Sequence, residues 1–169
     1  TPAAAEAAVT RSALLRKAGV QTAQATTNAG SRLVRFDLID ASTGFDMLLR
    51  QGNSVLPAMM RSLAALHAIK HVANLQLYQP LQKITPRFSH AGHQALAPIV
   101  NQALDELRGL SAETCVIHGD LHVNQFLVDA NGACWVVDFD DIAIGDPAAD
   151  LGNFAAHLAT RPEIRIGAP

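Results

Sequence analysis

CVIHGDLHVNQFLVDANGACWVVDFDD, residues 115–141, sets five aspartates and two histidines among short apolar runs, in a chain of 169 residues that is only 17% charged. Carboxylates are costly to bury unless paired, so acids pressed between Val, Phe, Leu and Trp either cap turns or hold a metal and carry chemistry. The apolar runs read as strands over 115–117, 126–129 and 133–138. Between the last two lies Asn131-Gly132, the strongest short hairpin signal in the chain. With Asn-Gly as the central pair of a type I′ turn, Gln125 falls opposite Asp138, and directly opposed residues share a face with Cβ atoms about 5 Å apart. A four-residue loop from Asp129 to Gly132 places Gln125 opposite Val136 instead. The first register brings an amide oxygen and a carboxylate together at the open end of the hairpin; the second does not. Asp120 lies in a turn ahead of the hairpin, and Asp138 and Asp140 share a side if the strand continues. An acid in a loop, an oxygen ligand five residues on and an acid at the hairpin's end suit Mg²⁺, which takes oxygen donors and usually shares its shell with water and phosphates.

Outward from this stretch, the pattern is mainly helical. Residues 3–18 read as a helix ended by Gly19. SRLVRFDLID, 31–40, alternates partly and reads as a strand, followed by a loop at ASTG. A second helix is expected from Asn53-Ser54, with Pro57 in its first turn and Val55, Met59, Leu63 and Leu66 at helical spacing. Residues 71–89, with Pro80 and Pro86, read as loop. A third helix is expected over 94–108, with Leu96, Val100, Leu104 and Leu107 on one face. The last opens at Asp146-Pro147, an N-cap followed by the favoured first helical residue, and runs towards Thr160.

Composition limits the function classes. At 49% hydrophobic the chain can bury a core, and a net charge of −2 gives no reason to expect nucleic acid or an anionic membrane surface. No stretch is long and apolar enough to span a bilayer. TPAAAEAAVTRSALLRKAGV, 1–20, has a faint transit-peptide character, but Val9, Leu14 and Leu15 give it the apolar side of an ordinary helix. Cys115 and Cys134, inside expected strands, could touch across a hairpin, but read better as buried free thiols of a cytoplasmic protein. The start at Thr reads as the beginning of a piece of a longer protein.

HGDLHVNQFLVD followed by WVVDFDDIAIGDPAADLGNF resembles the catalytic loop and metal motif of the aminoglycoside phosphotransferase and choline kinase family, relatives of the protein kinases. LVRFDLIDASTGFDMLL resembles the strand and linker between the two lobes, and MMRSLAALHAI a helix in which Leu-His-Ala is frequent. The resemblance implies an α+β, protein-kinase-like fold, with a mainly helical large lobe and a small β-hairpin carrying the catalytic and metal motifs. Residues 1–40 would be the remnant of the small, nucleotide-binding lobe, and 41–169 the large lobe, truncated at its C-terminus. The activity implied is transfer of the γ-phosphoryl group of ATP, with Mg²⁺, to a hydroxyl of a small molecule that is aminoglycoside-, choline- or sugar-like. Asp120 would be the catalytic base and Asp138 the principal metal ligand. Gln125 stands where the family has a ligating Asn, and Asp140 where kinases have Gly. Asp150 would brace the catalytic loop, and Glu6 would pair with the ATP-binding lysine of the parent protein.

Each residue also has a plainer reading: a turn acid for Asp120, a strand-end acid for Asp138, a polar hairpin residue for Gln125, a solvated helix acid for Glu6. His118 is expected to bond backbone around the loop, His122 to be structural or to face substrate, and His67 to pack near the core. No Gly-rich loop and no Val-Ala-Ile-Lys strand occurs in the sequence, and kinases cradle phosphates with these parts; the piece alone is therefore expected to be inactive. Two alternatives stand beside the kinase: a degenerate kinase that only binds, and a hydrolase whose His118, Asp120 and His122, at period-two spacing, hold Zn²⁺ or Mn²⁺.

Overall fold

The computed structural model describes residues 1–70, 72, 74–79, 96–108 and 113–164. Helix α1 (Pro2–Lys17) begins at Thr1, whose hydroxyl accepts from the Ala4 amide, and Gly19 at φ 86° turns the chain out of it. Two-residue strands β1 (Ala25–Thr26) and β2 (Arg35–Phe36) pair antiparallel. The strand expected over 31–40 is therefore confined to its middle: Leu33 and Leu38 are exposed and offer no buried face to extend it.

The expected loop at ASTG is instead strand β3 (Ala41–Thr43) and the cap of a helix that sequence reasoning missed, α2 (Gly44–Gln51). The Thr43 hydroxyl accepts from the Asp46 amide and donates to the Asp46 carboxylate, a closed pair at the helix start. A 3₁₀ turn over Gly52–Val55 delays α3 (Leu56–His67), so the helix expected from Asn53 starts later, with Pro57 still in its first turn. Helix α4 (Ala97–Arg108) follows. Of its expected apolar face, Leu96 is exposed and Val100 half-buried, while Leu104 and Leu107 lie outside the residues whose side chains are described. Of the expected loop at 71–89, residues 71, 73 and 80–89 lie outside the described residues, and Leu77 makes an isolated parallel bridge to Ile144.

Strands β4 (Cys115–Ile117), β5 (Phe126–Asp129), β6 (Cys134–Val136) and β7 (Ala143–Gly145) carry the site, and helix α5 (Pro147–Ala159) closes the described fold. β3, β5 and β6 form an antiparallel sheet, and β4 pairs with β7, a strand too short to leave a sequence signal. α5 is capped by Asp146, whose carboxylate accepts from the Ala148 amide. The larger apolar core of the described residues holds Leu15 of α1, Met59 and Leu63 of α3, Phe126 of β5, Val136 of β6 and Phe154 of α5, and a smaller cluster of Cys115, Ile117 and Ala143 lies between β4 and β7. Phe126 and Phe154 meet edge to face at 5.7 Å, locking α5 to the hairpin. Cys115 and Cys134 are both buried, in separate sheets. No described helix is long and apolar enough to cross a membrane.

Neither register foreseen for the hairpin is the observed one. Phe126 pairs with Val136, Leu127 with Trp135 and Val128 with Cys134. The connection is a three-residue loop: the Gly132 amide returns to the Asp129 carbonyl, and Gly132 takes φ 78°, the type I turn with a left-handed third residue that such loops favour. Nor does the third strand run to 138. It ends at Val136, and Asp138 is itself left-handed at φ 64°, ψ 62°, followed by a 3₁₀ turn over Phe139–Asp141. Asp138 and Asp140 are thus not on one strand face.

Candidate active site

β4 is wholly buried and delivers the chain into the loop His118-Gly119-Asp120. The Asp150 carboxylate, in the first turn of α5 and 1% exposed, holds that loop from below. Its Oδ2 accepts from the His118 amide at 2.8 Å and its Oδ1 from the Gly119 amide at 2.9 Å. His67 Nε2, from the end of α3, lies 2.9 Å from Oδ2. The N-terminus of α5 adds a favourable dipole to this buried charge. Gly119 has φ 83°, and an added Cβ there would collide with the Asp141 carbonyl oxygen, so the loop can lie this close to the Phe139–Asp141 turn only with glycine. Asn153 Nδ2 donates to the Leu121 carbonyl at 2.9 Å, pinning the far side of the loop.

His118 ties the loop to the hairpin's end. Its Nε2 lies 2.9 Å from the Val137 carbonyl oxygen; a carbonyl only accepts, so Nε2 carries the proton. Nδ1 is then a bare acceptor, buried and without a partner. The ring packs on Phe139 with centroids 5.3 Å apart.

Gln125 and Asp138 meet, although not through the hairpin register. Val137 donates its amide to the Gln125 carbonyl, and the left-handed turn at Asp138 then swings that carboxylate round to the Gln125 side chain. Gln125 Nε2 stands 3.1 Å from Asp138 Oδ2 and 3.2 Å from His122 Nε2. Gln125 is buried and Asp138 exposed, so the amide forms the wall and the carboxylate the open side. Burial first, and His157 with its ring centroid 4.9 Å away second, hold the His122 imidazole below its usual range; the nearby charges of Asp120 and Asp138 oppose them. Neutral His122 can accept at Nε2, consistent with a donor amide facing it.

Asp138 and Gln125 fit an Mg²⁺ ion sharing its shell with water and phosphate: one carboxylate and one amide, both able to present oxygen, at an edge open to solvent. Holding the ion requires a half-turn of the Gln125 amide to bring Oε1 to the Asp138 side. The alternative site of His118, Asp120 and His122 is not assembled: His118 is committed to Val137, and no group of three His, Cys, Asp or Glu side chains among the described residues is placed to hold a metal.

Beside Asp138 opens a cleft of about 550 Å³, between α1, the residues around β2 and the hairpin. Phe36, Leu38, Ile39, Leu127 and Val137 supply apolar walls; Asp138 and Asp140 lie on its rim with Arg11. Asp120, half-buried, does not line this cleft. Glu6 is exposed and does not line it either, since helical spacing sets it opposite the face of Ala8, Arg11 and Ser12 that does. Sequence reasoning missed the roles of His67, Asn153 and Arg11. The Leu-His-Ala stretch was the available signal for His67; nothing local marked the other two.

A family model described as APH, phosphotransferase enzyme family, matches residues 2–167. Among solved structures, a choline/ethanolamine kinase family protein from Mesorhizobium loti superposes with TM-score 0.67 at 17% identity, over 89% of this chain and 55% of that one. An aminoglycoside-3'-phosphotransferase of type VIII gives TM-score 0.67 at 16% identity, over 99% and 69% of the two chains. Amicoumacin kinase hAmiN, in complex with AMP-PNP, Ca²⁺ and Ami, gives TM-score 0.63 at 16% identity, over 90% and 52%. No curated protein matches the chain by sequence. The chain spans little more than half the length of the first and third of these structures, and at such identities the likeness is one of fold.

Proposed function

The chain belongs to the phosphotransferase enzyme family, with the α+β, protein-kinase-like fold of its structural neighbours, and from that premise we propose that the whole protein transfers the γ-phosphoryl group of ATP to a hydroxyl of a small molecule. The observation that carries this reading is the meeting of Gln125 with Asp138 at 3.1 Å, on the rim of a cleft with apolar walls and next to the braced loop that bears Asp120. Phosphoryl transfer asks of the protein chiefly position and charge neutralisation; the braced loop supports the first, and a carboxylate beside an amide able to present oxygen to a metal ion supports the second.

In this reading Asp120 accepts the proton of the acceptor hydroxyl as its oxygen bonds to the γ-phosphorus; the bond from that phosphorus to the β–γ bridging oxygen breaks, and ADP leaves. Asp138 and Gln125 hold Mg²⁺, which when bound neutralises phosphate charge. His118 and Asp150 position: one fixes the backbone just before Asp138, the other the backbone just before Asp120. The cleft beside Asp138 takes the nucleotide. Aminoglycoside-, choline- and sugar-like alcohols are the acceptor class proposed. Glu6, solvated on the far side of α1, is not supported as a lysine partner by its placement.

Calorimetric titration of ATP with Mg²⁺ into the full-length protein, beside Asp138→Asn and Asp120→Asn, tests the assignment. Metal-dependent binding is expected, lost by tenfold or more in Asp138→Asn and kept in Asp120→Asn, with phosphoryl transfer to a hydroxyl acceptor abolished in both. A folded protein that binds no nucleotide would sink the reading; nucleotide binding with no transfer to any acceptor would fit a non-catalytic binding module instead.

A further inference from the structure

α1 turns a cation, not an acid, towards the cleft. Among the described residues lining it, Arg11 is the one cationic side chain, against the three carboxylates of Asp37, Asp138 and Asp140. Such a lining repels a polyphosphate unless cations offset it. Arg11 Nη2 lies 3.2 Å from Asp140 Oδ1, with Nη1 at 3.5 Å from the Asp140 carbonyl oxygen. The Arg11 side chain is 27% exposed, but that of Asp140 is 84% exposed. An ion pair so open at one end holds weakly, and a guanidinium fork matches phosphate oxygens at least as well as a single carboxylate. Arg11, Asp140 and Asp138 line the same cleft, so the guanidinium already stands in the cleft of the carboxylate assigned above to the metal.

We propose that Arg11 is a nucleotide-phosphate ligand: when nucleotide enters the cleft, its guanidinium leaves Asp140 and takes phosphate oxygens. This rests on the nucleotide-dependent reading of the site and adds to it a cation supplied by α1. Asp140 is the holding partner that keeps the guanidinium at the cleft's edge when no nucleotide is bound.

The test is titration of adenosine, ADP and ATP, the last two with Mg²⁺, into the full-length protein and its Arg11→Ala, Arg11→Lys and Asp140→Asn variants, with thermal unfolding of each variant as the check on folding. Arg11→Ala is expected to weaken ADP and ATP by tenfold or more and adenosine by less than twofold. Arg11→Lys should recover part of the loss, and Asp140→Asn should bind ADP at least as tightly as the unaltered protein. Equal weakening of all three ligands by Arg11→Ala, or none, would overturn the proposal. So would a loss of ADP affinity in Asp140→Asn matching that in Arg11→Ala, because the ion pair itself would then be what matters. If the unaltered protein binds none of the three, the nucleotide reading fails and this proposal falls with it; if it binds and Arg11→Ala changes nothing, only this proposal falls.

Discussion

The Asp150 carboxylate answers, for one acid, why this sequence spends charge in its interior. At 1% exposure it receives the amides of His118 and Gly119 and faces His67 Nε2. A buried donor left unsatisfied costs about 1–3 kcal/mol, and this carboxylate receives the amides of two consecutive residues. Asp150→Ala is accordingly expected to lower the unfolding free energy by about 3 kcal/mol, and His67→Ala by about 1 kcal/mol. Urea unfolding reads both as lower midpoints at unchanged slope; a loss under about 1 kcal/mol for Asp150→Ala would mean that water replaces the carboxylate. A first-turn helix acid was legible at this position, and so was its likeness to a loop brace. The identity of its third partner was not, because His67 and Asp150 are 83 residues apart in sequence.

At the scale of elements, the hairpin shows how a strong local signal can be read one residue short. Asn131-Gly132 was rightly a turn, yet Asp129 changed its type. The Asp129 Oδ1 accepts from the Asn131 amide at 2.8 Å and the Ala133 amide at 2.9 Å. That side-chain cap favours a type I turn followed by left-handed Gly132 over the two-residue turn. Asp129→Ala is expected to cost about 1 kcal/mol, since the two amides are near the surface and water takes over part of the bonding; a thermal melt lower by several degrees is the readout. An unchanged melt would show that Gly132 alone holds the turn. α2 was missed for a similar reason: Thr43 and Asp46 carry its start signal, but the apolar residues that follow are too few to show a period. β3 and β7, three residues each, owe their strand form to the partners they lie against.

Across the whole molecule, burial sets the behaviour of the two thiols. Cys115 and Cys134 are 2% and 4% exposed, and desolvation is the leading cause raising both above the ordinary 9.0; Lys70 opposes it at Cys115, and the Ser62 hydroxyl and Arg61 at Cys134. A raised thiol means that the folded state keeps the proton longer than the unfolded chain. Their contribution to stability is therefore fully present below pH about 9 and is lost as pH rises beyond it, where the unfolded chain ionises first. At pH 8 a thiol reagent is expected to label neither residue in the folded protein and both in denaturant, followed by mass spectrometry of the labelled peptides. Rapid labelling of Cys134 without denaturant would mean that the hairpin opens away from α3.

What the sequence alone determined was local. The loop at Asp120, the turn at Asn131-Gly132 and the cap Asp146-Pro147 are decided by backbone conformation and hydrogen bonds within a few residues, and those forces are written in adjacent letters. The tertiary structure decided which of these groups meet. Gln125 reaches Asp138 through a left-handed turn, His67 joins Asp150, and Arg11 finds Asp140 across 129 residues. Such meetings depend on how α1, α3 and α5 pack on one apolar core, and burial of apolar surface is non-directional: it makes the elements come together, while only their assembled shapes fix which polar groups end up face to face.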